Sequence, residues 1–121
     1  MAKILVIDDE AHIRTIINDF LKIERHEVDL AEDGNTAMKL AEKKAYNLVI
    51  TDVFMPDDDG FDVIRALKRL YPAVKIIAIS GGGTVHSSGE LLDACKLFGA
   101  DRGVPKPLDL KKLVEVMKEL L

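Results

Sequence analysis

Three aspartates, a serine and a lysine stand at the ends of short strand-like stretches in this 121-residue sequence. Lys3–Asp8 reads Lys-Ile-Leu-Val-Ile-Asp and is followed by Asp9; Leu48–Thr51 runs into Asp52; Val74–Ile79 runs into Ser80; and Asp101–Val104 is followed by Pro105 and Lys106. Each is weak evidence alone. An Asp-Asp pair after a strand is most often a cap or a solvated turn, a serine before glycines is usually loop, and a lysine is usually surface. Their joint occurrence changes the reading, because an open α/β sheet gathers its strand ends on one edge. Two unit charges ~4 Å apart cost roughly 4 kcal/mol at an effective dielectric near 20. Three carboxylates there call for a cation, and hard oxygen ligands with solvent access suit Mg²⁺. Asp52, ending a central run, is the best-placed nucleophile, since a carboxylate can attack phosphorus to form an acyl phosphate. Asp8 and Asp9 are placed to hold the metal directly or through water. Lys106 offers a flexible point charge, and Ser80 a hydroxyl donor.

These residues need a scaffold, and the sequence predicts one. The run from Lys3 is continuously apolar, as expected for a strand covered on both faces. Ile13, Ile16, Ile17, Phe20 and Leu21 then recur at helical spacing. Glu27–Ala31 is a shorter strand, Asp33-Gly34-Asn35 turns the chain, and a second helix runs to about Ala45. After Asp52, Met55-Pro56-Asp57-Asp58-Asp59-Gly60 reads as a loop. A third helix follows with Val63, Ile64, Leu67 and Leu70, ended by Pro72. Beyond Ser80 and Gly81-Gly82-Gly83 a fourth helix is expected with Leu91, Leu92, Cys95 and Phe98, capped by Gly99. The last helix carries Leu110, Leu113, Val114, Met117 and Leu121. Alternation of this kind implies one α/β domain over residues 1–121, a doubly wound parallel sheet with five strands and five helices.

Composition narrows the function classes. Apolar residues make up 48% of the chain, enough for a core at this length. The formal net charge of −4, with no clustered basic run, argues against direct nucleic-acid binding. No apolar stretch is long enough to span a bilayer. The first strand begins at Lys3, so no leader is expected, and the lone Cys95 cannot form an internal disulfide. The expectation is a soluble cytoplasmic domain.

In combination and in order, the stretches Ile-Leu-Val-Ile-Asp8-Asp9-Glu10, Asp33-Gly34, Val-Ile-Thr-Asp52-Val-Phe-Met-Pro56, Asp59-Gly60-Phe61, Ile-Ile-Ala-Ile-Ser80, Gly99-Ala100-Asp101 and Lys106-Pro107 resemble the response-regulator receiver family across essentially the whole chain. The resemblance implies a flavodoxin-like sheet in the order 2-1-3-4-5. It implies that Asp52 accepts a phosphoryl group from a histidine kinase or histidine phosphotransfer protein. Asp8 or Asp9, Asp52 and the backbone carbonyl of Phe54 would surround Mg²⁺, while Ser80 and Lys106 would read the phosphorylated state. It further implies a cis Lys106-Pro107 bond, cis peptides being essentially a proline feature. Output would pass by protein–protein contact to an unknown downstream protein, or by onward phosphotransfer, from a monomer or a phosphorylation-dependent dimer.

Two departures from the family pattern stand out. Gly103 occupies the position, three before the lysine, where members usually carry an aromatic side chain that swings inward. Ser80 is followed by three glycines where alanine is usual, which frees the loop and points to the Ser80–Ser88 loop and fourth helix as the route of output. Pro105 fits an edge strand. Other features read as structural. The glycines lack the Lys-Ser/Thr of a P-loop; Cys95 shares a face with Leu91 and Phe98; His12, His26 and His86 form no ligand spacing and are expected to face solvent. Asp57-Asp58-Asp59 is a solvated acidic turn. Lys111, Lys112, Glu115 and Lys118 form the outer face of the last helix, a candidate docking surface. Two other functions compete. An Mg²⁺-dependent aspartyl phosphohydrolase would carry an acidic residue two positions after its nucleophile, where this chain has Phe54. A silent, unphosphorylated adaptor would have no need of all five site residues.

Overall fold

The computed structural model of the chain describes residues 2–55, 58–80, 96 and 99–121. Five parallel strands form the main sheet: β1 (Lys3–Ile7), β2 (Glu27–Ala31), β3 (Leu48–Asp52), β6 (Lys75–Ser80) and β7 (Arg102–Pro105), in the spatial order β2-β1-β3-β6-β7. Taken along the chain these five stand 2-1-3-4-5, as expected. Between β3 and the third helix the chain makes a short antiparallel ribbon, β4 (Phe54–Met55) with β5 (Asp58–Asp59), where the sequence reads only as a loop.

Strand side chains alternate between faces, and here both faces are apolar. Leu5, Ile7, Val49, Ile76 and Ala78 form one core with Ala37 and Ala41 of α2 (Gly34–Lys43) and Val63, Ile64 and Leu67 of α3 (Gly60–Leu70). Ile4, Val6, Leu48, Ile50, Ile77 and Ile79 form the other with Ile17 and Leu21 of α1 (Ala11–Ile23) and Leu113, Val116 and Met117 of α4 (Leu110–Leu120). Every residue of β3 is buried, which accounts for its unbroken apolar run. A one-residue slip would exchange the two cores, so register, and with it the position of Asp52, is fixed by packing on both sides.

Helix starts are set locally. The Asp33 side chain accepts from the Thr36 amide at 2.7 Å, and that of Asp109 from the Lys111 amide at 3.0 Å, each an N-cap. The fourth helix expected from the sequence, with Cys95 and the glycine loop before it, lies outside the described residues. Its expected cap is described: Gly99 has φ +116° and donates its amide to the Lys96 carbonyl at 3.1 Å, a backbone conformation that favours glycine.

Asp101 joins the start of β6 to the approach of β7. Its Oδ2 accepts from the Ile76 amide at 2.8 Å and from Lys68 Nζ at 2.9 Å, its own amide donates to the Ile76 carbonyl at 2.8 Å, and Lys68 Nζ also donates to the Val74 carbonyl at 2.6 Å. One carboxylate thus ties α3 to two strands.

Several surface expectations are corrected. Ile16, Leu70 and Leu121 are exposed, and Val116 takes a core position in the last helix. A helical stripe read from period alone is wider than the face its sheet covers. His26 is half-buried rather than solvent-facing: its Nδ1 accepts from the Ala2 amide at 3.0 Å. Lys111, Lys112, Glu115 and Lys118 are exposed, as expected.

Asp101→Ala leaves the Ile76 amide and the Lys68 ammonium without this acceptor. A loss of about 2 kcal/mol is expected, read as a lower urea midpoint with an unchanged slope; a midpoint equal to wild type would show that the bracket contributes nothing.

Candidate functional site

The carboxyl edge of the sheet brings the predicted residues together. Asp8 directly follows β1 and is 1% exposed; Asp52 ends β3 and is 2% exposed. Asp9, next to Asp8, is exposed. One carboxylate oxygen from each of Asp8, Asp9 and Asp52 lies within 4.8 Å of the others. Lys106, just past β7, places Nζ 3.2 Å from Asp52 Oδ2 and 3.5 Å from Asp8 Oδ2. Its peptide bond to Pro107 is cis. Ser80 ends β6 at the same edge, in register with Pro105, and Phe54 lies in β4, two residues past Asp52.

The backbone holds this arrangement beyond the end of the ladder. Ile7 is the last β1 residue in register with both neighbours, facing Ala31 and Thr51. The Asp8 amide donates to the Ala31 carbonyl at 3.1 Å, and Asp8 Oδ1 accepts from the Glu10 amide at 2.9 Å. Thr51, fully buried, donates its hydroxyl to the Asp52 carbonyl at 3.0 Å.

Asp8 Oδ2 is buried and, among the described residues, accepts no hydrogen bond; its contact with Lys106 is an ion pair short of hydrogen-bond geometry. Burial therefore pushes the Asp8 carboxyl above the ordinary carboxylate range, and neighbouring Asp9 adds to the effect. The Glu10 amide and Lys106 oppose it without cancelling it. Burial alone would lower Lys106, but the attraction of Asp52, Asp8 and Glu10 outweighs it and raises the ammonium. Three carboxylates thus share one firmly protonated lysine, and a buried oxygen is left unmet. A hard divalent cation fits that deficit in charge and in ligand chemistry.

Sequence reasoning passed over three contributors. Glu10 Oε2 lies 3.5 Å from Lys106 Nζ, so the lysine has a third acidic neighbour. Arg14 donates Nη1 to the Asp8 carbonyl at 2.7 Å. Thr51 is the third. The only available signal was position: Glu10 precedes α1, and Arg14 follows it by one helical turn, so both face back toward the end of β1.

Comparison with known proteins identifies the family. The family model described as the response regulator receiver domain matches residues 4–118. The chain belongs to the response-regulator receiver family. It is 36% identical, over 99% of its length, to the DNA-binding transcriptional regulator NtrC of Azospirillum brasilense, and 34% identical, over 98%, to the response regulator MprA of Mycolicibacterium vanbaalenii. It spans 24% of the first and 50% of the second, so it corresponds to one portion of these longer regulators. Among solved structures, the chemotaxis protein CheY4 of Vibrio cholerae superposes with a TM-score of 0.88 at 30% identity, covering 100% of this chain and 99% of that one. The response regulator TrrA of Thermotoga maritima, solved in complex with Mg²⁺ and BeF, gives 0.85 at 34% identity with full coverage of both chains. These relatives are a transcriptional regulator, two response regulators and a chemotaxis protein. No helix among the described residues is long and apolar enough to cross a membrane.

The raised Asp8 carboxyl has a stability consequence. A raised folded-state value favours folding of the protonated form, a contribution fully present below about pH 4 and lost as pH rises through the folded value. Asp8→Asn keeps the oxygen that faces the Glu10 amide and removes the charge. Without divalent cation it should melt with wild type at low pH and at a higher temperature than wild type at neutral pH. Added Mg²⁺ should stabilise wild type by mass action and leave the variant little changed. A variant less stable at neutral pH would show that the carboxylate is not a strained group.

Proposed function

We propose that this receiver is a phosphoacceptor, taking a phosphoryl group onto Asp52 from the phosphohistidine of a histidine kinase or histidine phosphotransfer protein. The observation that carries this reading is the buried Asp52 carboxylate paired with Lys106 beside the unmet Asp8 oxygen. An Asp52 oxygen attacks phosphorus as the donor's phosphorus–nitrogen bond breaks. The bond's electron pair stays on the imidazole nitrogen, and a carboxyl–phosphoryl mixed anhydride remains on Asp52. Lys106 then transfers its ammonium from the carboxylate to a phosphoryl oxygen. The acidic neighbours that raise Lys106 keep it charged for this role, and a lysine on a flexible stem is able to follow the moving charge. Ser80, at the same strand-end edge, donates its hydroxyl to the phosphoryl group.

Asp8, Asp9, Asp52 and the backbone carbonyl of Phe54 are the residues that would hold Mg²⁺. When bound, that ion neutralises the carboxylates and the charge developing on the phosphoryl oxygens. The chain's own contribution is a fixed nucleophile: Asp52 ends a fully buried strand and has its backbone pinned by Thr51, so little ordering remains for transfer to require.

The reading extends to a cytoplasmic signalling role, with output through a partner protein or onward phosphotransfer. Gly103 lies in β7 opposite Ala78 and has no side chain to act as an aromatic switch. DNA binding by the longer NtrC relatives is not carried over, since this chain matches only about a quarter of them.

Intact-mass spectrometry after incubation with acetyl phosphate tests the proposal. A single phosphoryl adduct is expected that requires Mg²⁺ and disappears in Asp52→Asn. No adduct under any condition would favour a silent adaptor and remove Asp52 from the mechanism. Steady turnover of external phosphate esters would instead indicate a phosphohydrolase, which Phe54, in place of an acid two residues past the nucleophile, argues against. The bulk of Phe54 should also hinder hydrolytic water. Phosphorylated wild type should decay several-fold more slowly than Phe54→Asn in a timed mass measurement, and equal decay would exclude that effect.

A further inference from the structure

Asp8 is secured at three of its four polar atoms. Its amide is held by the Ala31 carbonyl, its Oδ1 by the Glu10 amide, and its carbonyl by Arg14 Nη1 at 2.7 Å, the shortest of the three bonds. The fourth atom, Oδ2, is buried and accepts no hydrogen bond among the described residues. Arg14 is half-buried on α1, and its bond acts one residue past the last position at which β1 is in register with both neighbours. A peptide leaving a ladder has lost the partners that fix its orientation, and a buried carbonyl requires a new donor. Holding that peptide restricts the backbone torsions of Asp8, from whose Cα the carboxylate projects.

We infer that Arg14 is a positioning residue for divalent-cation binding, holding the Asp8 peptide so that Oδ2 faces the carboxylate cluster. The inference rests on the proposed Mg²⁺ site and adds to it a residue that touches neither the cation nor the phosphoryl group. Two effects of Arg14 oppose each other. Its positive charge, so close to the carboxylates, disfavours a second cation, whereas its charge-assisted bond to the carbonyl orders a ligand. The short contact favours ordering, because a partially buried donor–acceptor pair loses its geometry abruptly when the donor is removed.

Calorimetric titration with Mg²⁺ at fixed ionic strength separates these effects. Arg14→Met removes both donor and charge; Arg14→Gln removes the charge and keeps an amide donor of shorter reach; Arg14→Lys keeps the charge and a donor. If Arg14 positions Asp8, Kd for Mg²⁺ rises about tenfold in the methionine variant, the usual scale for losing a partner that orients a metal ligand, and by less in the other two. Labelling by acetyl phosphate should then regain the wild-type rate at saturating Mg²⁺, with only the half-saturating concentration raised. Asp101→Ala, which destabilises the fold elsewhere, should leave Kd unchanged. Tighter Mg²⁺ binding in the methionine and glutamine variants would mean that charge dominates and would overturn the inference, as would unchanged affinity. If the methionine variant does not fold, the sign of the change in Arg14→Gln decides: weaker supports positioning, tighter or equal refutes it. Absence of saturable Mg²⁺ binding in wild type, or binding that survives in Asp8→Asn, would remove the site itself and the inference with it.

Discussion

Two carboxylates buried side by side with a single lysine between them set the terms for the rest of this fold. Removing a carboxylate from water is expensive unless it is paired and hydrogen-bonded, and Asp8 is only partly compensated. The location is the one place where a parallel sheet tolerates such a group. The chain passes from β1 outward to β2 and returns to lay β3 on the other side of β1, so the carboxyl ends of β1 and β3 flank the crevice between diverging connections. From Ile4 to Ile7 and from Leu48 to Ile50 both faces are packed with aliphatic side chains, and a charge there would meet no compensating group.

That expense is carried by a scaffold that is otherwise complete. The two apolar layers interdigitate with the sheet through alternate residues of the same strands, so they share a register and cannot shift independently. Polar brackets tie the strands to their neighbours. Asp101 ties β6 and β7 to α3, and Asp29 on β2 accepts from the Tyr46 hydroxyl at 2.6 Å. Hydrogen bonding to Tyr46 holds the Asp29 carboxyl below its ordinary range, and burial together with Asp29 raises Tyr46. Contrast with Asp8 is instructive. Asp29 gains the Tyr46 hydroxyl and the Lys44 ammonium and is stabilised as an anion, whereas the Glu10 amide and a shared lysine do not offset the burial of Asp8. Both are aspartates on the same sheet; the difference lies in which edge they occupy.

Much of this was legible in the sequence because the informative patterns were local. An unbroken Ile-Leu-Val-Ile before Asp8 and Leu-Val-Ile-Thr before Asp52 identify central strands, and the chemistry-bearing residue follows directly. Asp33 and Gly99 mark helix ends by mechanisms that need no tertiary context. What escaped notice depends on reach across space. Glu10 and Thr51 look like an ordinary surface acid and an ordinary strand threonine until Lys106 and the Asp52 carbonyl are placed beside them. Arg14 on an amphipathic helix reads as solvent-facing, and only the return of α1 toward the end of β1 brings its guanidinium to the Asp8 carbonyl. His26 reads as solvent-facing for the same reason, its partner being the amide of Ala2, which the parallel pairing of β1 with β2 brings beside it. The exposed Ile16 and Leu121 err in the opposite direction, since period alone does not say how wide a covered face is. The fourth helix and the glycine loop, read from the sequence, lie outside the described residues.

The identity of the cationic residue matters as much as its charge. An arginine at position 106 would fork across two carboxylate oxygens and fix itself there, closing the site on its own ground state. Lysine instead presents one compact ammonium, shared at 3.2 to 3.5 Å among Asp52, Asp8 and Glu10, so no single pairing holds it. Withdrawing it from Asp52 leaves two acidic neighbours still in range, and the change of partner is therefore small in energy. Lys106 also sits between two elements of one core: Glu10 leads into α1, and Leu108 and Leu110 beyond the lysine pack against the core that includes Ile17, Leu21 and Leu113. A change in where its ammonium rests is consequently a change at the entrance to both helices.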